Sequence, residues 1–142
     1  MSRGRGYPER IVCLTEETTE TLYLLGEDWR IVGISGFTVR PPIARKEKPR
    51  VSAFTSAKID RIIALQPDLV LGFSDLQADI AADLVRAGVE VHVFNHRSVA
   101  EILRTIRVLG GMVGCEDKTL ALVTKLETGL AHARERAPAL TT

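Results

Sequence analysis

Three phenylalanines are the side chains of this sequence best suited to hold a ligand. Phe37, Phe54 and Phe73 each fall just past the end of a predicted strand or in a short loop. Such positions converge on one edge of an open parallel sheet, so three aromatic faces could line a shallow apolar platform for a small molecule. Alternatively, the three rings cap the hydrophobic core from its rim, and the residues alone leave both interpretations open. We assign the fourth phenylalanine, Phe94, to the core.

Histidines and cysteines are the other candidates for chemistry. His92 and His96 lie near one predicted strand end, where they could approach a metal ion or a ligand, whereas His132 lies on the flank of a predicted helix. We interpret the histidines as surface or loop residues rather than metal ligands. We predict that Cys13 is a buried small residue and that Cys115 is a surface thiol, with no zinc site and no disulfide framework.

Motifs for catalysis are missing from the sequence. There is no GxSxG, no P-loop and no GxGxxG after a strand, and the glycine-rich residues 110–114 lie between predicted helices, where they would cradle a phosphate poorly. An enzyme would need a nucleophile with a base, a pair of placed carboxylates or a metal site. We therefore predict no catalytic residue and no required cofactor, and keep a small α/β enzyme as an alternative.

Residues 57–73 show which elements position these side chains. Ile59, Ile62 and Leu65 recur on one face of a helical period, and Pro67 ends the helix because proline lacks an amide hydrogen and restricts the preceding residue. Residues 69–71 are then uninterruptedly apolar, as in a strand buried on both faces of a parallel sheet. The stretch predicts one helix-strand unit of an α/β fold.

The same alternation extends along the chain and predicts a Rossmann-like parallel sheet with flanking helices. Glycines 110, 111 and 114 are expected to end the helix that follows the sheet, and residues 116–136 form a long helix of roughly 30 Å at 1.5 Å per residue. We predict an extended or disordered arm at 1–9, an α/β lobe at 10–97, a helix pair at 98–137 and a tail at 138–142. The predicted strands are 10–14, 31–34, 69–71 and 89–94, the predicted helices of the lobe are 15–25, 57–66 and 76–87, a helix follows at 98–109, and residues 38–49 are an irregular excursion.

Composition excludes some classes of partner. Nineteen Lys and Arg residues against 18 Asp and Glu residues give a net charge of +1, so there is no overall positive field to attract nucleic acid. We interpret the two local basic clusters as solvated surface. They comprise Arg3, Arg5 and Arg10, and then Arg40, Arg45, Lys46, Lys48 and Arg50.

The compartment depends on whether a signal has been removed. Residues 1–10 are basic but lack the apolar stretch of a secretory signal, and no apolar run approaches the roughly 20 residues needed to span a bilayer. As written, the chain is expected in the cytoplasm. A removed signal would instead place it in the periplasm or outside the cell.

The order of these segments resembles a known family. RIVCLTEETTETLYLLG, RIVGISGFTVRPP, RVSAFTSAKIDRIIALQPDLVLGF and LVRAGVEVHVFNHRSVAEILRTIRVLGGMVG follow one another as in the amino-terminal lobe of class III substrate-binding proteins of ABC importers, cobalamin-binding branch. The resemblance covers residues 10–137. It implies two α/β lobes joined by one rigid backbone helix, here residues 116–136, with the ligand held between the lobes and the second lobe absent.

The resemblance also assigns roles to particular residues. Phe37, Phe54 and Phe73 fall where the cobalamin branch places aromatics against the corrin, and a histidine such as His92 could approach its lower face. Asp60 falls where that branch has an acidic residue that docks to arginines of the importer's membrane subunits, although a solvated helix residue explains Asp60 equally well. A haem, siderophore or metal chelate is an alternative ligand. A single-lobe module that self-associates through its last helix, without transport, is another alternative.

Overall fold

The computed structural model describes the backbone of residues 6–52, 59–73, 77–95 and 98–141, and their side chains apart from those of Ser52, Val99 and residues 134–141. Strands and helices alternate through these ranges until two helices follow in succession. The strands are β1 (Ile11–Cys13), β2 (Ile31–Ser35), β3 (Arg50–Ser52), β4 (Leu69–Phe73) and β5 (Val91–Phe94). The helices are α1 (Glu16–Leu24), α2 (Pro42–Glu47), α3 (Ile59–Ala64), α4 (Ala78–Arg86), α5 (Val99–Met112) and α6 (Glu116–Thr141), with a short 3₁₀ turn at Asp28–Arg30.

The strands of the described ranges form one parallel sheet in the order β3-β2-β1-β4-β5. Strand β1 is central, and the chain first adds strands on one side of it and then returns to add β4 and β5 on the other. This reversal creates a topological switch point between β1 and β4, where open α/β sheets hold their ligands beyond the carboxyl ends of the strands. The predicted Rossmann-like class is confirmed.

Each face of the sheet buries its own apolar cluster. Ile11 and Cys13 of β1 point to one face, where they pack with residues of α1, α2 and α5, including Leu22, Ala44 and Leu109. Val12 of β1 points to the opposite face, which α3 and α4 cover. Alternate residues of a strand point to opposite faces, so a strand covered on both sides must be apolar throughout, as residues 69–71 predicted.

Two elements are absent from the sequence prediction. Residues 38–49 are not wholly irregular, because α2 occupies Pro42–Glu47 with Pro42 in its first turn. Proline suits that position, where its missing amide hydrogen has no helical partner in any case. Strand β3 was also missed, because it has only three residues and includes the charged Arg50, so it shows no strand pattern.

Helices α5 and α6 pack together as a hairpin. The prediction that Gly110 and Gly111 interrupt the first helix was wrong, since α5 runs through both to Met112, and only Gly114, with φ of +71°, lies in the turn. Gly110 lets the helices approach closely, because a Cβ there would lie 1.8 Å from Thr119 Oγ1. The prediction of a surface thiol at Cys115 was also wrong, since this crossing buries its side chain.

A buried arginine joins the helix hairpin to the sheet. Arg30 is 4% exposed. Its guanidinium donates to the Pro8 carbonyl before β1, to the Val113 carbonyl between α5 and α6 at 3.0 Å, and to Glu27 Oε1 at 2.8 Å. Glu27 is also buried and accepts a further hydrogen bond from Lys118 of α6. One charged cluster therefore fixes the start of the long helix against the lobe.

The long helix extends beyond its buried contacts. It is 26 residues long, or about 39 Å at 1.5 Å per residue. Thr119 and Val123 are buried against the lobe, whereas residues 124–129 and 131–133 are exposed and Leu130 is half-buried. The apolar residues of α6 do not form a continuous buried stripe, because Leu120 is 66% exposed and Leu126 36%. None of the helices in the described ranges is both long and apolar enough to cross a bilayer.

Replacing Gly110 by alanine should destabilise the hairpin. The added methyl group would overlap the Thr119 side chain in a packed crossing, and overpacking of this kind costs about 1–3 kcal/mol. Urea denaturation followed by circular dichroism measures the loss. Gly111→Ala is the matched control, because nothing lies within 4 Å of its Cβ position and alanine gains about 0.5–1 kcal/mol over glycine in a helix. Equal effects of the two variants would contradict the close approach.

Glu27→Gln should destabilise the protein by about 3 kcal/mol at neutral pH, because it leaves the buried Arg30 without its counter-charge. Glu127→Gln is the control, since Glu127 is exposed and contacts Arg107 at 3.4 Å. Such surface pairs contribute about 0–1 kcal/mol. Denaturant titration of both variants tests the difference.

The contribution of Glu27 should depend on pH. Burial alone would raise the pKa of its carboxyl, but the hydrogen bonds from Lys118 and Arg30 outweigh burial and lower the pKa below the ordinary 4.5. A carboxyl whose pKa is lowered in the native state stabilises the fold fully at pH values above its pKa in the unfolded state. This stabilisation is lost as the pH falls from there through the lowered native pKa. The free energies of unfolding of wild type and Glu27→Gln should therefore converge below about pH 4. A constant difference across that range would contradict the charged pair.

Candidate functional site

The candidate site lies at the carboxyl edge of the sheet, around the switch point. Phe37 follows the end of β2, and Phe73 is the last residue of β4. These two strands flank β1, and neighbouring strands lie about 4.8 Å apart, so the two strand ends are separated by about 10 Å. The structure therefore places Phe37 and Phe73 at one edge, on either side of β1.

The loop that carries Phe37 is held by hydrogen bonds from within and from α1. The Phe37 amide donates to Ser35 Oγ at 3.1 Å, and the Thr38 amide donates to the Ser35 carbonyl at 3.1 Å. Glu16, in the first turn of α1, accepts from the Val39 amide at 2.8 Å and contacts Arg40 at 3.4 Å. The backbone beneath the Phe37 ring is thus fixed.

The Phe37 ring itself is not used in the core. It is 65% exposed, and two neighbouring apolar side chains, Val39 and Ile43, are 50% and 49% exposed. An exposed aromatic costs free energy in water unless something covers it, and apolar patches at a sheet edge are a usual feature of ligand sites. Val39 and Ile43 were missed as candidates, because sequence reasoning treated the segment after Phe37 as an irregular surface excursion.

The Phe73 side of the edge is built differently. Phe73 is half-buried and packs against the core, while its amide donates to Gln77 Oε1 at 2.8 Å. Gln77, which is 1% exposed, also donates from Nε2 to the Leu14 carbonyl at 3.1 Å. One buried amide therefore ties the end of β4 to the end of β1. No sequence signal marks Gln77, since a glutamine before a helix is usually solvated.

Other predicted residues lie elsewhere or outside the described ranges. Phe54 and His96 fall outside the described residues, so their roles stay predictions. Phe94 is 7% exposed and belongs to the core, as predicted. His92 is half-buried in β5 with its ring centroid 4.4 Å from that of Phe94, and His132 is exposed on α6. No group of three or more metal-ligating side chains occurs among the residues that the structure describes.

Asp60 lies in the first turn of α3. Its side chain is exposed, and within the described ranges no ion pair involves it. Helix α3 begins the crossover from the carboxyl end of β3 to β4, so its first turn lies toward the ligand edge rather than the opposite one. An exposed carboxylate there contributes little to stability, and its charge is open to a partner.

Neither cysteine is set up as a nucleophile. Burial raises the pKa of the Cys13 thiol to about 11, despite hydrogen bonds with Thr18 and Thr19 that lower it. Burial also raises the pKa of the Cys115 thiol, although Thr119 opposes the shift. Because the thiolate is the reactive form, both side chains act as small apolar residues.

Comparison with known proteins gives this α/β lobe its family. The family model described as "Periplasmic binding protein" matches residues 11–142, and the chain belongs to that family. The match includes every strand and helix described above and the whole candidate edge.

Individual relatives agree with this assignment. An uncharacterised ABC transporter substrate-binding lipoprotein of Bacillus subtilis is 30% identical over 134 residues, covering 92% of this chain and 42% of the relative. A vitamin B12-binding protein of Vibrio campbellii is 36% identical over 72 residues, covering 51% of this chain and 26% of the relative. The solved structure of a periplasmic haem-binding protein from Roseiflexus sp. RS-1 superposes with a TM-score of 0.85 and 26% identity, covering 94% of this chain and 52% of that one.

The shares covered differ in a consistent way. Nearly all of this chain aligns with the Bacillus and Roseiflexus proteins, yet it spans only about half of their length or less. The sequence therefore corresponds to one part of a longer architecture in these relatives.

Proposed function

We propose that this chain forms one lobe of a substrate-binding protein that delivers a small molecule to an ABC importer in the periplasm or at the outer cell surface. The observation that carries the proposal is the exposed Phe37 on an anchored loop, at the ligand edge of a lobe that belongs to the periplasmic binding protein family. A second α/β lobe, joined through α6, would complete the clamp. Residues 124–129 and 131–133 of α6 are exposed, which supports this arrangement, and self-association through that helix is the competing use of the same surface.

We propose a cobalamin or related corrinoid as the ligand. A large flat molecule suits two aromatic residues carried at strand ends that are separated by about 10 Å, with Val39 and Ile43 extending the apolar surface beside Phe37. The Vibrio relative is named for vitamin B12 binding, which supports a corrinoid. Haem is the second candidate, because the Roseiflexus protein is named for haem binding and aligns with far more of this chain.

The proposed action is binding and release without catalysis. Apolar contact with Phe37, Phe54 and Phe73 would hold the ligand on this lobe, and closure of a second lobe would cover its other side. No cofactor has a role in this scheme.

Asp60 is the proposed docking residue for the importer's membrane subunits. Its exposed carboxylate lies toward the ligand edge, and a charge at that position can orient docking to a basic partner without contributing to stability. Ligand contact and importer contact would thus use separate side chains of the lobe.

Replacing the proposed ring contacts by alanine should weaken ligand binding. Cobalamin and haem, titrated against the chain and followed by calorimetry, should show saturable binding of one of them. Phe37→Ala and Phe73→Ala should each weaken it about tenfold, because the contact of one aromatic face corresponds to roughly 1.5 kcal/mol. Leu24→Ala is the control, since Leu24 is 61% exposed at the far end of α1. Saturable binding of neither compound, or an equal loss in the control, would contradict the proposed site.

Asp60→Asn should weaken docking to importer membrane subunits while leaving ligand binding and the free energy of unfolding unchanged. Surface plasmon resonance against the subunits in nanodiscs, at low and high salt, measures this effect, which screening by salt should diminish. Asp79→Asn is the matched control, because Asp79 is also an exposed carboxylate in the first turn of a helix, α4. Equal association rates for wild type and both variants would rule out a docking role for Asp60.

A further inference from the structure

A groove lies at the β3 edge of the sheet, apart from the aromatic site. Its walls come from the end of α2, the start of β3 and one face of α3, and its volume is about 630 Å³. Val51 and Leu65 contribute an apolar floor, and four cationic side chains surround it. These are Arg45, Lys48, Arg50 and Arg61.

The four cations are not neutralised within the described part of the chain. Lys48 donates to the Asp28 carbonyl at 2.9 Å, and Arg61 donates to the Arg50 carbonyl at 3.5 Å. Both acceptors are uncharged carbonyl oxygens, so neither hydrogen bond is an ion pair, and no carboxylate of the described residues lines the groove. Other basic side chains do pair with carboxylates, namely Arg30, Arg40, Arg86, Arg107 and Lys118.

Gathering four positive charges without a counter-charge is unfavourable, because like charges repel. A multivalent anion in the groove would remove this repulsion. Guanidinium groups match phosphate oxygens through paired hydrogen bonds, whereas a lysine contributes a point charge. Three arginines and one lysine around a concave surface therefore suit a phosphate group better than a single carboxylate.

We propose that this groove binds a phosphate group, carried either by a free anion or by a lipid headgroup. From the sequence, the cluster at 40–50 forms one charge run, which favours a solvated surface. The fold separates its members, since Arg40 pairs with Glu16 and Glu20, and it adds Arg61 from α3 to the others. The site needs neither a second lobe nor an importer, so it does not depend on the proposed function.

The test compares two variants of equal charge. The groove variant carries Arg45→Gln, Arg50→Gln and Arg61→Gln, and the control variant carries Arg86→Gln, Arg104→Gln and Lys125→Gln at exposed positions elsewhere. Each removes three positive charges, and circular dichroism checks that both remain folded. Calorimetry with inorganic pyrophosphate tests the free anion. Co-sedimentation with vesicles of phosphatidylglycerol and phosphatidylcholine, against phosphatidylcholine alone, tests the headgroup.

We expect wild type and the control variant to bind in at least one of the two assays, and the groove variant to lose about tenfold or more in affinity there. The assay that detects binding identifies the source of the phosphate. Binding in neither assay would overturn the proposal. Equal losses in the groove and control variants would also overturn it, because they would show attraction to overall charge rather than to this groove.

Discussion

The buried ion pair of Arg30 and Glu27 is the constraint on which the arrangement of the lobe depends. Charges in an apolar interior are tolerated only when they are paired and every donor is satisfied. Here the guanidinium contacts a carboxylate and two carbonyls from distant parts of the chain, and Lys118 completes the carboxylate's partners. These hydrogen bonds form only when three parts of the chain are in place: the segment that begins β1, the turn before β2 and the helix hairpin. The cluster thus stabilises only the correctly assembled lobe, in addition to joining its parts.

Apolar patterning predicted the elements that bury the most surface. The sheet strands at 10–14, 31–34 and 69–71 and the helices at 15–25, 76–87 and 116–136 were found close to their predicted bounds, because burial on a sheet face or a helix stripe imposes a period on the sequence. Helix α2 was missed because it is short and largely exposed. Strand β3 was missed because it has only three residues. The prediction that the helix ends at Gly110 and Gly111 failed for a different reason. Their role is close approach between helices, and a contact between residues 110 and 119 leaves no local pattern.

The candidate site was predictable only in part. Strand ends could be located from the apolar runs, so the positions of Phe37 and Phe73 on one edge followed from the parallel topology. The residues that hold Phe37 and Phe73 at this edge could not be predicted in the same way. Glu16 accepts from a backbone amide more than 20 residues away, and Gln77 donates to a backbone carbonyl more than 60 residues away. Nothing in the composition around Glu16 and Gln77 distinguishes them from surface residues. Ligand edges of this kind can be inferred from sequence, whereas their supporting hydrogen bonds require coordinates.

The fixed loop beneath Phe37 has a kinetic consequence. Its backbone is already ordered by hydrogen bonds to Ser35 and Glu16. Binding of the proposed ligand against the Phe37 ring would therefore need no rearrangement of the loop and would cost little conformational entropy. Encounter rates should then vary little among molecules of similar size. Discrimination between related ligands would then depend on their dissociation rates, because on a preformed surface the residence time reflects the quality of contact.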